Sequence, residues 1–125
     1  MMDQPSAVEI IGAVREFIEK QAIPQLTGRT AFHARVAANA LAIVARELEK
    51  APQAHNAELK TLQLLLGTSG TLEELNREFC KRIKSGELDF ADGKIATHLI
   101  SSTLAKVEID QPAYSGFVHS QHRTP

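Results

Sequence analysis

With one cysteine, Cys80, among 125 residues, the chain has no internal disulfide to staple it. It must hold by its own core, and such usage fits a reducing compartment. Aromatic residues make up only 5 %, too few for the stacking platforms on which single-stranded nucleic acid lies. Neither sign of charge is in excess: 14 Lys and Arg face 15 Asp and Glu, for a formal net charge of −1. That balance excludes a broad electrostatic footprint for nucleic acid or an anionic membrane. No hydrophobic run reaches the ~20 residues of a membrane span, and the best of them, Val36 to Ala45, is broken by Asn39. The leading segment MMDQPSAVEIIGAV carries an acid where a secretory signal has a basic region. The expectation is a cytoplasmic protein with neither nucleic acid nor membrane among its partners.

What remains is helix, in five segments and without a convincing strand. Ser6 and Glu9 form a capping box, followed by Ile10, Val14, Phe17 and Ile18 at helical spacing, with Ile11 widening the stripe. Pro24 restricts the residue before it, so this helix is expected to end near Gln21. Thr27-Gly28 turns the chain into an alanine-rich second helix over residues 28–50, which stops before Pro52. Pro52 to Asn56 reads as a polar connector. A short third helix covers Ala57 to Leu66, with Leu59, Leu62, Leu65 and Leu66 inward and Gly67 as terminator. A second capping box, Thr71 with Glu74, opens a fourth helix whose stripe is Leu72, Leu75, Phe79 and Ile83, and Ser85-Gly86 closes it. Leu88 and Phe90, in the acidic link 87–93, are expected to tuck against the bundle. The fifth helix runs from Lys94 to Glu108 on a face of Ile95, Leu99, Ile100, Thr103, Leu104 and Val107, and Asp110-Gln111-Pro112 ends it. Residues 113–125 show no apolar period and read as a tail, loosely docked through Tyr114 and Phe117 or disordered. The fold class is therefore all-α: a single-domain bundle over residues 1–112, with a central long helix and an irregular C-terminal tail.

The second helix carries the chemistry. It is apolar around most of its circumference, which points to burial by its neighbours, yet it bears Arg29, His33, Arg35, Asn39 and Arg46. Arg35, Asn39 and Arg46 share a face floored by Ala42 and bordered by Phe32, so two guanidinium forks and an amide could hold a carboxylate or phosphate. Against this stands a solvated edge, on which the arginines pair with acids of neighbouring helices and Asn39 only packs. Arg29 and His33 form a second pair one turn apart. An imidazole beside a guanidinium stays neutral and could act as a general base, or could simply be hydrogen-bonded within the bundle. No nucleophile or carboxylate dyad stands at a telling spacing, so no catalytic residue is assigned.

Other features are weaker. His119 and His122 lie three apart in the tail, while His33, His55 and His98 fall on different segments. With no Cys pair and no His-Glu-x-x-His, neither a metal nor a cofactor is expected. Cys80 reads as a small buried hydrophobe. Gly67-Thr68-Ser69-Gly70 lacks the lysine and preceding strand of a phosphate loop and reads as a turn.

The segment GRTAFHARVAANALAIVARELE, together with PSAVEII, LNREFCKRIKSGELD and LAKVEIDQP followed by Tyr114, resembles a bacterial family of small proteins described only as a domain of unknown function. The family's last motif carries Asn where this chain has Gln111. Its members are often encoded beside acyl-CoA-dehydrogenase-like enzymes and kinases resembling aminoglycoside phosphotransferases. The resemblance thus implies an accessory role in acyl-CoA metabolism, with such a dehydrogenase-like or kinase-like protein as a partner. Two functions follow. One is a non-catalytic interaction module that associates with itself, as a homodimer, or with such a partner. The other is a small-molecule binder or enzyme for a phosphorylated or CoA-linked acyl compound held by the polar stripe of the second helix.

Overall fold

The computed structural model describes residues 4–123. Among them there is no strand, and five α-helices follow one another: α1 (Ala7–Phe17), α2 (Gly28–Leu66), α3 (Leu72–Lys84), α4 (Gly93–Asp110) and α5 (Ser115–Gln121). They group into two compact units, Met1–Lys50 and Ala51–Pro125. The all-α expectation holds. Among the described residues no helix is long and apolar enough to cross a membrane.

Both capping boxes form. Ser6 N–H donates to Glu9 Oε2 at 2.7 Å and Glu9 N–H to Ser6 Oγ at 3.2 Å. Thr71 and Glu74 exchange the same pair of bonds at 2.8 and 3.1 Å. Each box satisfies two amides that a helix start leaves orphaned. Asp92 caps α4 by accepting from Lys94 N–H at 2.9 Å.

Three expectations about where helices begin and end change. The chain does not leave the helical region near Gln21. It passes through a π turn (Ile18–Ala22) and a 3-10 turn (Ile23–Gln25), and Ile23 stays right-handed helical although Pro24 follows it. A π turn shifts the carbonyl row by one residue, which relieves the clash between a proline ring and the carbonyl four residues back. Pro52 does not stop α2 either, and the expected second and third helices are one element of 39 residues. Its ring is exposed, while Ala51 beside it is buried. Helix formers on both sides outweigh the single missing hydrogen bond. Finally, residues 113–125 are not irregular throughout, since Ser115–Gln121 wind into α5. A run this short has too few positions to display a period in sequence.

The second unit has a conventional core. Leu62, Leu66, Leu75, Phe79 and Ile95 are buried together, with Leu59, Leu65, Leu72, Ile83, Leu88 and Leu99 packed against them. The turn after α2 is held by Gly67, whose φ of +66° suits a residue without a Cβ. Arg82 Nη1 donates to the Leu66 carbonyl at 3.0 Å, satisfying one of the open acceptors at that helix end. Phe90 and Ile100, expected inward, are exposed. So is Cys80, which is not the buried hydrophobe expected of it.

The first unit is built the other way round. Along α2 the inward positions are alanines: Ala31, Ala38 and Ala42 are buried, and Ala34 and Ala45 on the same face are half-buried. Among its described residues no side chain larger than alanine is buried. Of the bulky residues on this half of the helix, Phe32 (57 % exposed), Val36, Val44 and Leu48 face outward, while Leu41 and Ile43 are half-buried. On α1 the half-buried positions are Val8, Ile11 and Arg15, continued by Ile18 at the start of the π turn, while Ile10, Val14 and Phe17, expected to face the core, are exposed. The expectation that α2 is buried on nearly every side therefore fails over its first half.

Candidate functional site

The polar residues singled out on α2 fall in the first unit. Arg29, His33, Arg35 and Asn39 are exposed, and His33 meets Phe32 edge-on at 5.6 Å between ring centroids. Arg46 is half-buried and engaged with a partner. Neither of the concavities described below involves any of these five residues. An exposed side chain loses little when truncated, so Arg35→Ala should shift unfolding by no more than ~0.5 kcal/mol. A urea melt checks this, and a larger loss would mean that Arg35 has a structural partner.

The built polar site lies in the second unit, where reading by bulk had missed it. Among its described residues two ionisable side chains are buried, Glu58 on α2 (9 % exposed) and His98 on α4 (4 %). Both line a cavity of about 130 Å³ between residues 54–61 of α2 and 98–109 of α4. Its remaining polar wall is Thr61, Ser101, Ser102 and Lys106, with His55 beside them. Ala54, Ala57, Ala105 and Ile109 supply the apolar wall. A second, wider groove along Asp92, Lys94 and Thr97 reaches His98, Thr61 and Ser101 from the start of α4. His98 can thus be approached from two directions.

Each group is positioned by a specific contact. Asn76, on α3, donates from Nδ2 to Glu58 Oε1 at 3.1 Å, so the third helix orients the carboxylate. Lys106 Nζ stands 3.8 Å from the same oxygen, with its side chain largely in solvent. Such a pair is weak by itself, but it offsets part of the cost of a carboxylate held away from water. Phe79 meets the His98 ring edge-on at 5.1 Å and fixes its plane. Among the described residues the two His98 ring nitrogens have no hydrogen-bond partner, and none joins His98 to Glu58.

Burial has the largest influence on His98 and holds its pKa below the ordinary histidine value. The Glu58 carboxylate pulls it back upward, and the Lys106 ammonium adds a smaller downward push. The imidazole is therefore favoured as the neutral ring, with one nitrogen donating and one accepting. A folded pKa below the unfolded one means that the unfolded chain takes up the proton first as the pH falls. The stability linked to His98 is thus complete above about pH 6.5 and is lost as acid carries the pH down through that value toward the folded pKa. Chemical denaturation between neutral and mildly acidic pH should show stability falling with acid, and His98→Gln should flatten that slope. An unchanged slope in the variant would assign the acid sensitivity to other groups.

The signal for this site was present in the sequence. Residues 95, 98, 102, 105 and 109 recur at three- and four-residue spacing, which makes one helix face. On that face Ile95 and His98 are buried, and Ser102, Ala105 and Ile109 are half-buried. Choosing the bulky neighbours Leu99, Ile100 and Leu104 instead rotates the face away from the histidine. Glu58 likewise stands one turn before Leu62 on the buried line of α2.

A family model described as a domain of unknown function (DUF6285) matches residues 24–114. That is most of the chain, which therefore belongs to this family. No curated protein matches it, and no solved structure does.

Proposed function

We propose that this DUF6285 protein is a non-catalytic, self-associating helical module, and that a second copy of the chain covers the apolar side of its first unit. One observation carries the proposal: on this half of α2 the buried residues are Ala31, Ala38 and Ala42, while Phe32, Val36, Val44 and Leu48 are exposed. A monomer gains by the opposite arrangement, since burying a large aliphatic or aromatic side chain contributes several times what a methyl does. A fifty-residue unit whose buried described residues are all alanine removes little apolar surface from water, and oligomerisation is a common further staple at that size. The family is so far defined only as a domain of unknown function, so its role does not choose among assemblies.

A second copy is favoured over a foreign partner because the open surface is apolar on both α1 and α2. Ile10, Val14 and Phe17 are exposed on one helix, and Phe32 and Val36 on the other. Arg29, His33 and Asn39 are exposed along the border of the Phe32–Val36 patch, and an apolar patch with such a rim can match its own copy across a two-fold axis in an isologous contact. Each half-exposed side chain covered contributes about 1 kcal/mol. The test is mass in solution. Sedimentation equilibrium should return twice the 13.7 kDa protomer, with dissociation on dilution. A protomer mass at every concentration overturns self-association. It would leave the same face to a heterologous protein, with an acyl-CoA-dehydrogenase-like or kinase-like protein as the first to try.

A further inference from the structure

We infer that the Glu58–His98 cavity is a binding site for a small molecule with an apolar body and a hydrogen-bond-donating head, an amine or an alcohol. The inference is independent of self-association, since every residue it uses lies in the second unit. Size comes first. At about 130 Å³ the space is close to that of an engineered apolar cavity of about 150 Å³ that takes up benzene. A body of roughly six or seven non-hydrogen atoms fits it.

The polarity of the wall sets the head group. Thr61 Oγ1 donates to the Ala57 carbonyl at 3.0 Å, Ser102 Oγ donates to Leu99 at 3.3 Å, and Ser101 Oγ donates to Thr97. These three hydroxyl protons are spent on the backbone, so toward the cavity the oxygens offer lone pairs. Glu58 is a carboxylate, an acceptor only, and a single bond from Asn76 leaves most of its lone pairs open. His98 adds one accepting nitrogen and one N–H, neither with a partner among the described residues. The site is thus acceptor-rich, with Lys106 largely in solvent near Glu58. A ligand carboxylate would meet Glu58 across a partly desolvated space, where like charges repel most strongly. An amine or hydroxyl meets complementary groups, and Ala54, Ala57 and Ala105 receive its hydrocarbon.

The experiment uses the full chain and three cyclohexyl probes: cyclohexylamine, cyclohexanol and cyclohexanecarboxylate. Amide chemical shifts are followed by NMR during titration. The expected result is saturable shifts confined to residues 54–61 and 98–109 with the amine, the alcohol or both, and none with the carboxylate. Glu58→Gln separates the two heads, since it should weaken the amine by about tenfold or more and leave the alcohol nearly unchanged. Ala105→Leu fills the apolar wall without touching a polar group and should abolish binding of either probe while the amide spectrum stays dispersed. Absence of saturable shifts with amine and alcohol alike overturns the inference and leaves a water-filled pocket. It is overturned equally by carboxylate binding as tight as the amine, or by Ala105→Leu binding like the parent chain.

Discussion

A Phe32→Asp, Val36→Asp double variant should sediment as a protomer at concentrations where the parent chain is a dimer. In the dimer these positions leave water, and a carboxylate that leaves water without a partner costs several kcal/mol. Two-fold symmetry doubles the penalty, because each substitution appears on both copies of the contact. Four such groups outweigh the apolar contribution of the whole patch, so dimer should be undetectable and not merely weakened. Both side chains are exposed in the protomer, so the helix itself should survive, apart from a small loss of propensity at two positions. Circular dichroism separates the outcomes: helical content should be retained while mass is halved. The melting temperature carries a second signature. It should rise with protein concentration for the parent chain and be concentration-independent for the variant. A variant that dimerises as the parent does would place the contact on another surface.

The other large effect lies in the core of the second unit. Leu62→Ala should destabilise the protein by about 2–5 kcal/mol. Leu62 is fully removed from solvent (0 % exposed). It stands among Leu66, Leu75, Phe79 and Ile95, contributed by three different helices. Truncation there removes contacts to α3 and α4 at once, and helices held from several directions cannot collapse into the space left. A small domain holds only about 5–15 kcal/mol in total, so the variant should lie close to its unfolding midpoint at physiological temperature. Urea titration followed by circular dichroism checks this, and Leu64→Ala is the matched control. Leu64 is 85 % exposed on the same helix, and its truncation should cost less than ~0.5 kcal/mol. Equal effects at 62 and 64 would contradict the orientation of α2 in this unit.

Much of the local structure was readable from neighbouring residues alone, because the physics is local. A Ser or Thr three residues before a Glu closes a capping box whatever surrounds it, and both boxes form as read. Leu72, Leu75, Phe79 and Ile83 all turn inward on α3 because theirs is the one apolar stripe on an otherwise charged helix. The all-α class and the glycine at position 67 follow from the same short-range rules. Two proline readings failed because a proline costs a helix a bounded amount, and the residues around it decide whether the helix continues.

Only tertiary packing chose among faces that the pattern left equivalent. The first half of α2 is apolar nearly all round, so periodicity could not say that alanines turn inward and Phe32 and Val36 outward. The face Arg35, Asn39 and Arg46 and the pair Arg29 and His33 stand out because charge on an apolar helix is conspicuous, yet Arg29, His33, Arg35 and Asn39 are exposed and Arg46 is half-buried with a partner. Glu58, Asn76, His98 and Lys106 come from three helices with up to 48 positions between them, and nothing local marks them as neighbours. A cavity exists where side chains from separate segments fail to fill the space between them, and that depends on how helices meet, not on the order of residues within one.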